Sequence, residues 1–202
     1  MAQATQNPRS ELTRAAILDA ARERLLADGY AGLSTRKVAQ EAGVPLSQVH
    51  YHFGSKHQLV LDLLAGENHR RLERQTRMFD QELPLWVRYE QACDFLEEDL
   101  ESGFVRVLQE MIAAGWSEPA LGAAVRELLL AWYDLLADVM RRAEAEHGPL
   151  GPFTAEEAAT LIGNMFIGSE GLLLLGIDRQ TLPIRSSLRR VGQLLRAWED
   201  QP

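Results

Sequence analysis

The sequence predicts an all-α protein: a short N-terminal three-helix unit containing a helix-turn-helix, followed by a longer helical domain. Three observations carry this. Apolar residues recur at i, i+3, i+4 and i+7 along almost the whole chain, with no strand-like alternation to compete. Helix start and stop residues punctuate those stripes at intervals of one helix. Between Ser34 and Lys56, two short stripes are separated only by Gly43-Val44-Pro45, a tight turn between adjacent helices.

The first helix is expected from Leu12 to Asp28, with Ile17, Ala21 and Leu25 on one side and Gly29 ending it; residues before about Ser10 read as a loose polar arm. Ser34 can cap the next helix, whose Val38, Ala39 and Ala42 form its apolar strip, and Gly43 supplies a positive-φ stop. The following helix starts at Pro45 or Leu46 and turns Leu46, Val49 and Phe53 inward. Ser55 and Gln58 read as a capping box opening a helix toward Arg77, in which His69 to Arg77 reads as a solvated face. Further stripes follow: Trp86, Tyr89, Cys93 and Leu96; then Phe104 to Ile112, closed by Gly115; then a long one from Pro119 to Gly148-Pro149. Thr154 and Glu157 form a second capping box. Thr181 can cap, and Pro183 begin, a last helix bearing Ile184, Leu188, Val191, Leu195 and Trp198.

The helix from Leu46 to Phe53 has a polar face that folding does not explain. With Leu46, Val49 and Phe53 inward, about 100° per residue turns Ser47, Gln48 and Tyr51 outward, flanked by His50 and His52. A structural helix would fill that face with Glu, Lys or Ala. Hydroxyl, amide, phenol and imidazole groups can instead hydrogen-bond base edges or phosphates in a groove that admits a helix. Lys56 stands at a helix N-terminus, where amides and dipole favour a phosphate.

Thr35-Arg36-Lys37-Val38-Ala39, Ala42-Gly43-Val44 and Tyr51-His52-Phe53 with Ser55-Lys56 resemble the signature of the tetracycline-repressor (TetR) family of bacterial transcription regulators, over roughly the first quarter of the chain. The resemblance implies a DNA-binding domain over residues 1–60 and a helical effector-binding and dimerisation domain over 61–202. It implies base contacts from Ser47, Gln48, Tyr51 and Arg36, and phosphate contacts from Thr35, His50, His52 and Lys56. His50 departs from the pattern, which usually has a tyrosine there; an imidazole can also meet a phosphate. The expected partners are double-stranded palindromic operator DNA, a second copy of the chain joined through the last two helices, and a small-molecule effector. Gly163, Gly168 and Gly171 would let the paired backbones approach. Candidate effector contacts are Trp86, Tyr89, Leu108, Met111, Trp132, Phe166 and Glu170; the aromatic and methionine positions also suit an ordinary core. Glu170 differs, because a carboxylate among apolar neighbours is costly unless something pairs with it.

The 202 residues, 46% of them apolar and 25% charged, suit a globular protein with a sizeable core. The net charge of −8 divides unevenly: residues 1–60 hold seven basic against five acidic residues, and the remainder fourteen against twenty-four. A basic end and an acidic body would attract phosphate at one end only. The start lacks the apolar segment of a signal peptide and no run could span a bilayer. One cysteine, Cys93, allows no internal disulfide, so the cytoplasm is expected. No cofactor or metal site and no enzyme is expected. Gly168, Gly171 and Gly176 lack a phosphate-loop lysine; His50 and His52 diverge on their helix; Cys93 has no histidine beside it in sequence. A DNA-binding regulator controlled by a protein partner rather than a small molecule stands as the alternative.

Overall fold

In the computed structural model, which describes residues 8–201, the chain folds into α1 (Pro8–Gly32), α2 (Thr35–Glu41), α3 (Leu46–Phe53), α4 (Lys56–Phe79), α5 (Leu85–Glu101), α6 (Phe104–Gly115), α7 (Pro119–His147), α8 (Ala155–Leu174) and α9 (Ile184–Glu199), with no strand among the described residues. Most of the arm expected before Ser10 lies outside them. Two compact units form. Of the described residues, one comprises those up to 67 together with 110–124, and the other comprises 68–109 together with those from 125 onward. Residues 110–124, which the sequence pattern groups with the C-terminal domain, thus cluster with the N-terminal helices.

In the first unit, local signals act as their chemistry dictates. Ser34 Oγ accepts the Lys37 amide at 3.3 Å, and Gly43 at φ 64° lets the Val44 amide return to the Ala39 carbonyl at 3.0 Å. That closure turns the chain directly into α3, whose Val49 and Phe53 are buried with Leu46 half-buried. Gly29, at φ 69° and ψ 173°, breaks α1, and the short turn after it ends at Gly32. The Ser55 box forms by half. Ser55 Oγ accepts the Gln58 amide at 3.1 Å, but the Ser55 amide is taken by the Phe53 carbonyl, and the Gln58 side chain donates to Asp62 Oδ1 at 2.7 Å.

The second unit buries one apolar core in which α5 packs against α8 and α9, through Tyr89, Cys93, Phe166, Leu188 and Leu195. The Thr154–Glu157 capping box is complete, both hydrogen bonds being present. At the start of α5, Pro84 offers no side-chain cap, and the carboxylate of Glu199, at the far end of α9, accepts the Leu85 and Trp86 amides at 2.6 and 3.0 Å. This satisfies amides that helix geometry leaves unbonded and closes α9 onto α5. Arg185–Glu97 at 2.7 Å and Arg189–Asp94 at 2.5 Å line the same seam. The start of α9 differs from expectation: Pro183 is the cap residue, and the Thr181 amide instead joins the Gln180 amide on Asp178 Oδ1. An aspartate turn provides these amides with an acceptor before the helix begins.

Gly163 also departs from its expected place between subunits. It is buried in α8 with the Tyr133 ring of α7 where a side chain would stand. Tyr133 further donates to Asn164 Oδ1 at 2.7 Å, so this glycine serves packing within one chain. Gly163→Ala should therefore lower stability by about 1–3 kcal/mol by forcing Tyr133 aside. Denaturant unfolding of the variant beside the parent measures this; an unchanged midpoint would contradict the packing account.

Candidate nucleic-acid interface and a cavity in the second unit

On α3 the structure turns Ser47, His50 and Tyr51 to solvent, Tyr51 being 77% exposed, while Gln48 is half-buried. His50 Nδ1 lies 3.0 Å from the Gly54 carbonyl, which leaves Nε2 for another partner. His52 is half-buried, edge-on to the Tyr51 ring at 5.1 Å, with its Nε2 covered and unbonded among the described residues. On α2, Arg36 is exposed, with no ion pair among the described residues, and Thr35 is half-buried.

The neighbouring cations are engaged. Lys37 Nζ holds Asp28 Oδ2 at 2.9 Å and the Gly32 carbonyl at 3.2 Å, and this hydrogen bond, with Arg24 nearby, holds the Asp28 carboxyl below its ordinary range. Lys56 Nζ donates to the Tyr30 carbonyl at 2.6 Å and lies 4.2 Å from that ring's centroid. A phosphate meeting Lys56 would take one of its remaining N–H bonds.

Tyr30 is fixed at every polar atom. Its amide donates to Glu110 Oε2 at 2.6 Å and its hydroxyl to Glu118 Oε2 at 2.8 Å, and His57 Nδ1 reaches the same Glu118 oxygen at 3.3 Å. Burial, then the Glu118 carboxylate, push the Tyr30 phenol up to about 12.

Within the second unit a cavity of about 80 Å³ opens among α4, α5, α6, α7 and α8. Five of the seven effector candidates line it: Tyr89, Leu108, Trp132, Phe166 and Glu170. Trp86 lies instead on a separate polar groove with Arg88, Glu146 and His147, and Met111 is buried in the first unit. Room of this size exceeds that of a single water several-fold.

The polar lining includes residues that the sequence pattern did not single out. Arg71 Nε donates to Asp99 Oδ1 at 3.0 Å and Arg74 to Asp99 Oδ2 at 2.8 Å, so two arginines of the stretch expected to be solvated instead hold a buried carboxylate. Both also stack on rings, Arg71 at 3.7 Å from Phe104 and Arg74 at 4.0 Å from Phe95. Burial pushes the Asp99 carboxyl up and the two guanidiniums pull it back; the paired carboxylate is the form this geometry fits. Gln75 Oε1 accepts from Trp132 Nε1 at 2.6 Å. A signal for these residues existed, since Gln75 falls between Leu72 and Phe79 on one helical stripe and Asp99 continues that of Tyr89, Cys93 and Leu96.

Glu170 is 8% exposed, and among the described residues only Gln109 donates to it, Nε2 to Oε2 at 2.9 Å. Burial pushes its carboxyl up to about 7, the Gln109 bond opposes the shift, and the Asp99 charge adds to it. Cys93 is buried and its thiol is pushed up to about 11 by desolvation, which keeps it protonated and unreactive at neutral pH.

A helical chain whose N-terminal helix-turn-helix presents a polar recognition face, with a second helical domain after it, is a DNA-binding transcription regulator by class. Residues 17–63 match the family model described as bacterial regulatory proteins, tetR family, so this segment, from α1 into α4, is similar to the DNA-binding part of that family. Among solved structures, a putative TetR-family regulator from Rhodococcus sp. is 22% identical, with a TM-score of 0.75 over 92% of this chain and 98% of its own. A putative transcriptional regulator from Pseudomonas aeruginosa PAO1 is 24% identical, with a TM-score of 0.73 over 97% and 91%. The Bacillus subtilis regulator FadR in complex with stearoyl-CoA is 16% identical, with a TM-score of 0.69 over 90% and 96%. At such identities the likeness is one of fold. No curated protein matches by sequence. No helix among the described residues is long and apolar enough to cross a membrane.

The burial of Glu170 sets a sign for pH. A carboxyl whose folded value lies above its ordinary 4.5 binds its proton more tightly when folded, so it favours the native state below about 4.5 and costs stability as pH rises through about 7. Glu170→Gln keeps an acceptor for Gln109 and removes that cost. The variant should gain about 2–3 kcal/mol over the parent at pH 8, and the gain should vanish near pH 4, as read by unfolding at several pH values. A gain independent of pH would contradict this origin.

Proposed function

We propose that the chain is a repressor that binds a palindromic operator as a homodimer in the cytoplasm and leaves it when a small molecule fills the cavity. The observation that carries this reading is a largely apolar cavity with a buried carboxyl that no cation meets among the described residues, in the same chain as an exposed polar recognition helix. Ser47, Gln48 and Tyr51 meet the major groove, and Arg36 reaches a base from α2. Thr35, His50, His52 and Lys56 hold phosphates, Lys56 while anchored on Tyr30 and His52 through the nitrogen left uncovered. That the Bacillus subtilis relative was solved with a ligand supports a ligand-holding role for the second unit.

Exposed leucines support pairing through the last two helices. Leu161, Leu172 and Leu175 of α8 and its C-cap are 47, 36 and 78% exposed, and they lie on one face with Gly168, where a side chain would meet nothing within 4 Å. Leu194 of α9 adds another at 70% exposed. A two-fold pair of readers matches two half-sites of a palindrome. The ligand acts by binding one dimer state more tightly than the other, which is all that coupling requires.

Three measurements test this. Selecting bound fragments from the source genome should enrich a palindrome; failure to enrich any would remove the operator reading. Arg36→Ala should relax preference at one base pair by about 1–3 kcal/mol, read by competition with base-substituted operators, and equal discrimination by the variant would displace Arg36 from the groove. Leu172→Glu with Leu175→Glu should give a monomer by sedimentation and a large loss of operator affinity. A dimer persisting in that variant would move the interface elsewhere.

A further inference from the structure

We propose that the cavity takes a small apolar amine in its protonated form, with the ammonium paired to Glu170 and the hydrocarbon part against Trp132 and Phe166. This rests on reading the cavity as the effector site.

The charged and polar groups lining this apolar cavity are nearly all matched within the chain. Asp99 has an arginine on each oxygen, Arg71 is spent on Asp99, and the Gln75 carbonyl is spent on Trp132. Of the two carboxyls lining the cavity, Glu170 is the one that no cation meets among the described residues, and a neutral amide is its one described donor. A buried carboxylate without a counter-charge is costly, and a ligand that brings the cation removes that cost as it binds. An anionic ligand would instead face Glu170, and among the described residues the one cation lining the cavity, Arg71, is already held by Asp99. The aromatic rings at the cavity wall give the ammonium and its alkyl or aryl body further favourable contact. The charged and titratable groups bearing on Glu170 are Asp99 of α5, Tyr133 of α7 and Arg71 of α4, Gln109 of α6 being neutral. Asp99 is matched by Arg71 and Arg74, and Arg74 also by Glu98 at 3.0 Å, so these four charges balance and the net charge presented to a ligand is that of Glu170.

Two matched sets of probes test the class: 2-phenylethylamine, 2-phenylethanol and phenylacetate; and hexylamine, hexanol and hexanoate. At about 100 times its Kd, an amine should raise the thermal midpoint of the full chain by about 5–10 °C, with the alcohol and acid well behind. Glu170→Gln, which keeps the Gln109 contact, should weaken amine binding at least about tenfold and leave the alcohols unaffected. In the parent protein, amine stabilisation should also fade as pH drops below about 7, a readout that needs no variant.

If alcohols or acids stabilise as well as amines, or if no amine binds, the amine proposal is overturned. If an alcohol or acid both binds and releases operator DNA, the effector reading survives without it. If amines bind through Glu170 but leave operator affinity unchanged, the ligand class stands and the effector reading falls.

Discussion

The first unit depends on what happens at Tyr30. Gly29 leaves the helical region, and a helix broken there frees the next amide from its carbonyl partner. That amide finds its acceptor in Glu110, eighty positions further along the chain, while Glu118 takes the phenol and Lys56 takes the carbonyl. The carboxylate of Glu110 also stands close beside position 29, its Oε2 3.0 Å from the place a Cβ would take, while the φ of 69° is what calls for glycine there. Tyr30 thereby ties the end of α1, the start of α4 and the α6–α7 turn into one body. It also explains why the compact unit is discontinuous in sequence, since residues 110–124 supply two of its acceptors.

The same unit spends most of its positive charge on itself. Arg14 pairs with Asp62, Arg24 with Asp28 and Glu41, and Lys37 with Asp28. An excess of two basic residues over 1–60 therefore understates how few cations remain for phosphate, and on the proposed reading attraction to DNA would fall on a small exposed set that includes Arg36. With few counterions to release, binding would depend on salt less steeply than a count of basic residues suggests. On the proposed reading, contacts from neutral groups of α3 would then carry a larger share of orientation and specificity.

What was legible in the sequence was whatever a few adjacent residues decide. The Ser34 cap, the Gly43 stop, the Thr154–Glu157 box and the apolar stripes each rest on local geometry, and they placed the helices. Gln58 shows where that stops: a capping box needs its second side chain to turn back, and Asp62, one turn on, competed for it. Partners far apart in the chain gave no such signal. Glu199 capping α5, Tyr133 occupying the space beside Gly163, and Asp99 gathering Arg71 and Arg74 all depend on which helices meet. Glu170 was legible for the opposite reason, because a carboxylate in an apolar stripe conflicts with burial whatever its neighbours are. Gln109, which donates to it, carries no comparable conflict, so nothing in the sequence marks it out.

That conflict bears on why the carboxyl is present at all. Glutamine at position 170 would satisfy Gln109 equally well and would avoid the cost of ionisation above neutral pH, so packing and hydrogen bonding do not call for a glutamate. Asp99, by contrast, has its charge met where it lies, an arginine standing on each oxygen. One carboxyl is thus explained by what surrounds it and the other is not. A group that lowers the stability of the empty fold, and whose cost an incoming molecule can relieve, is what a binding site contributes to a conformational equilibrium: the relief appears as affinity for whichever state holds the ligand.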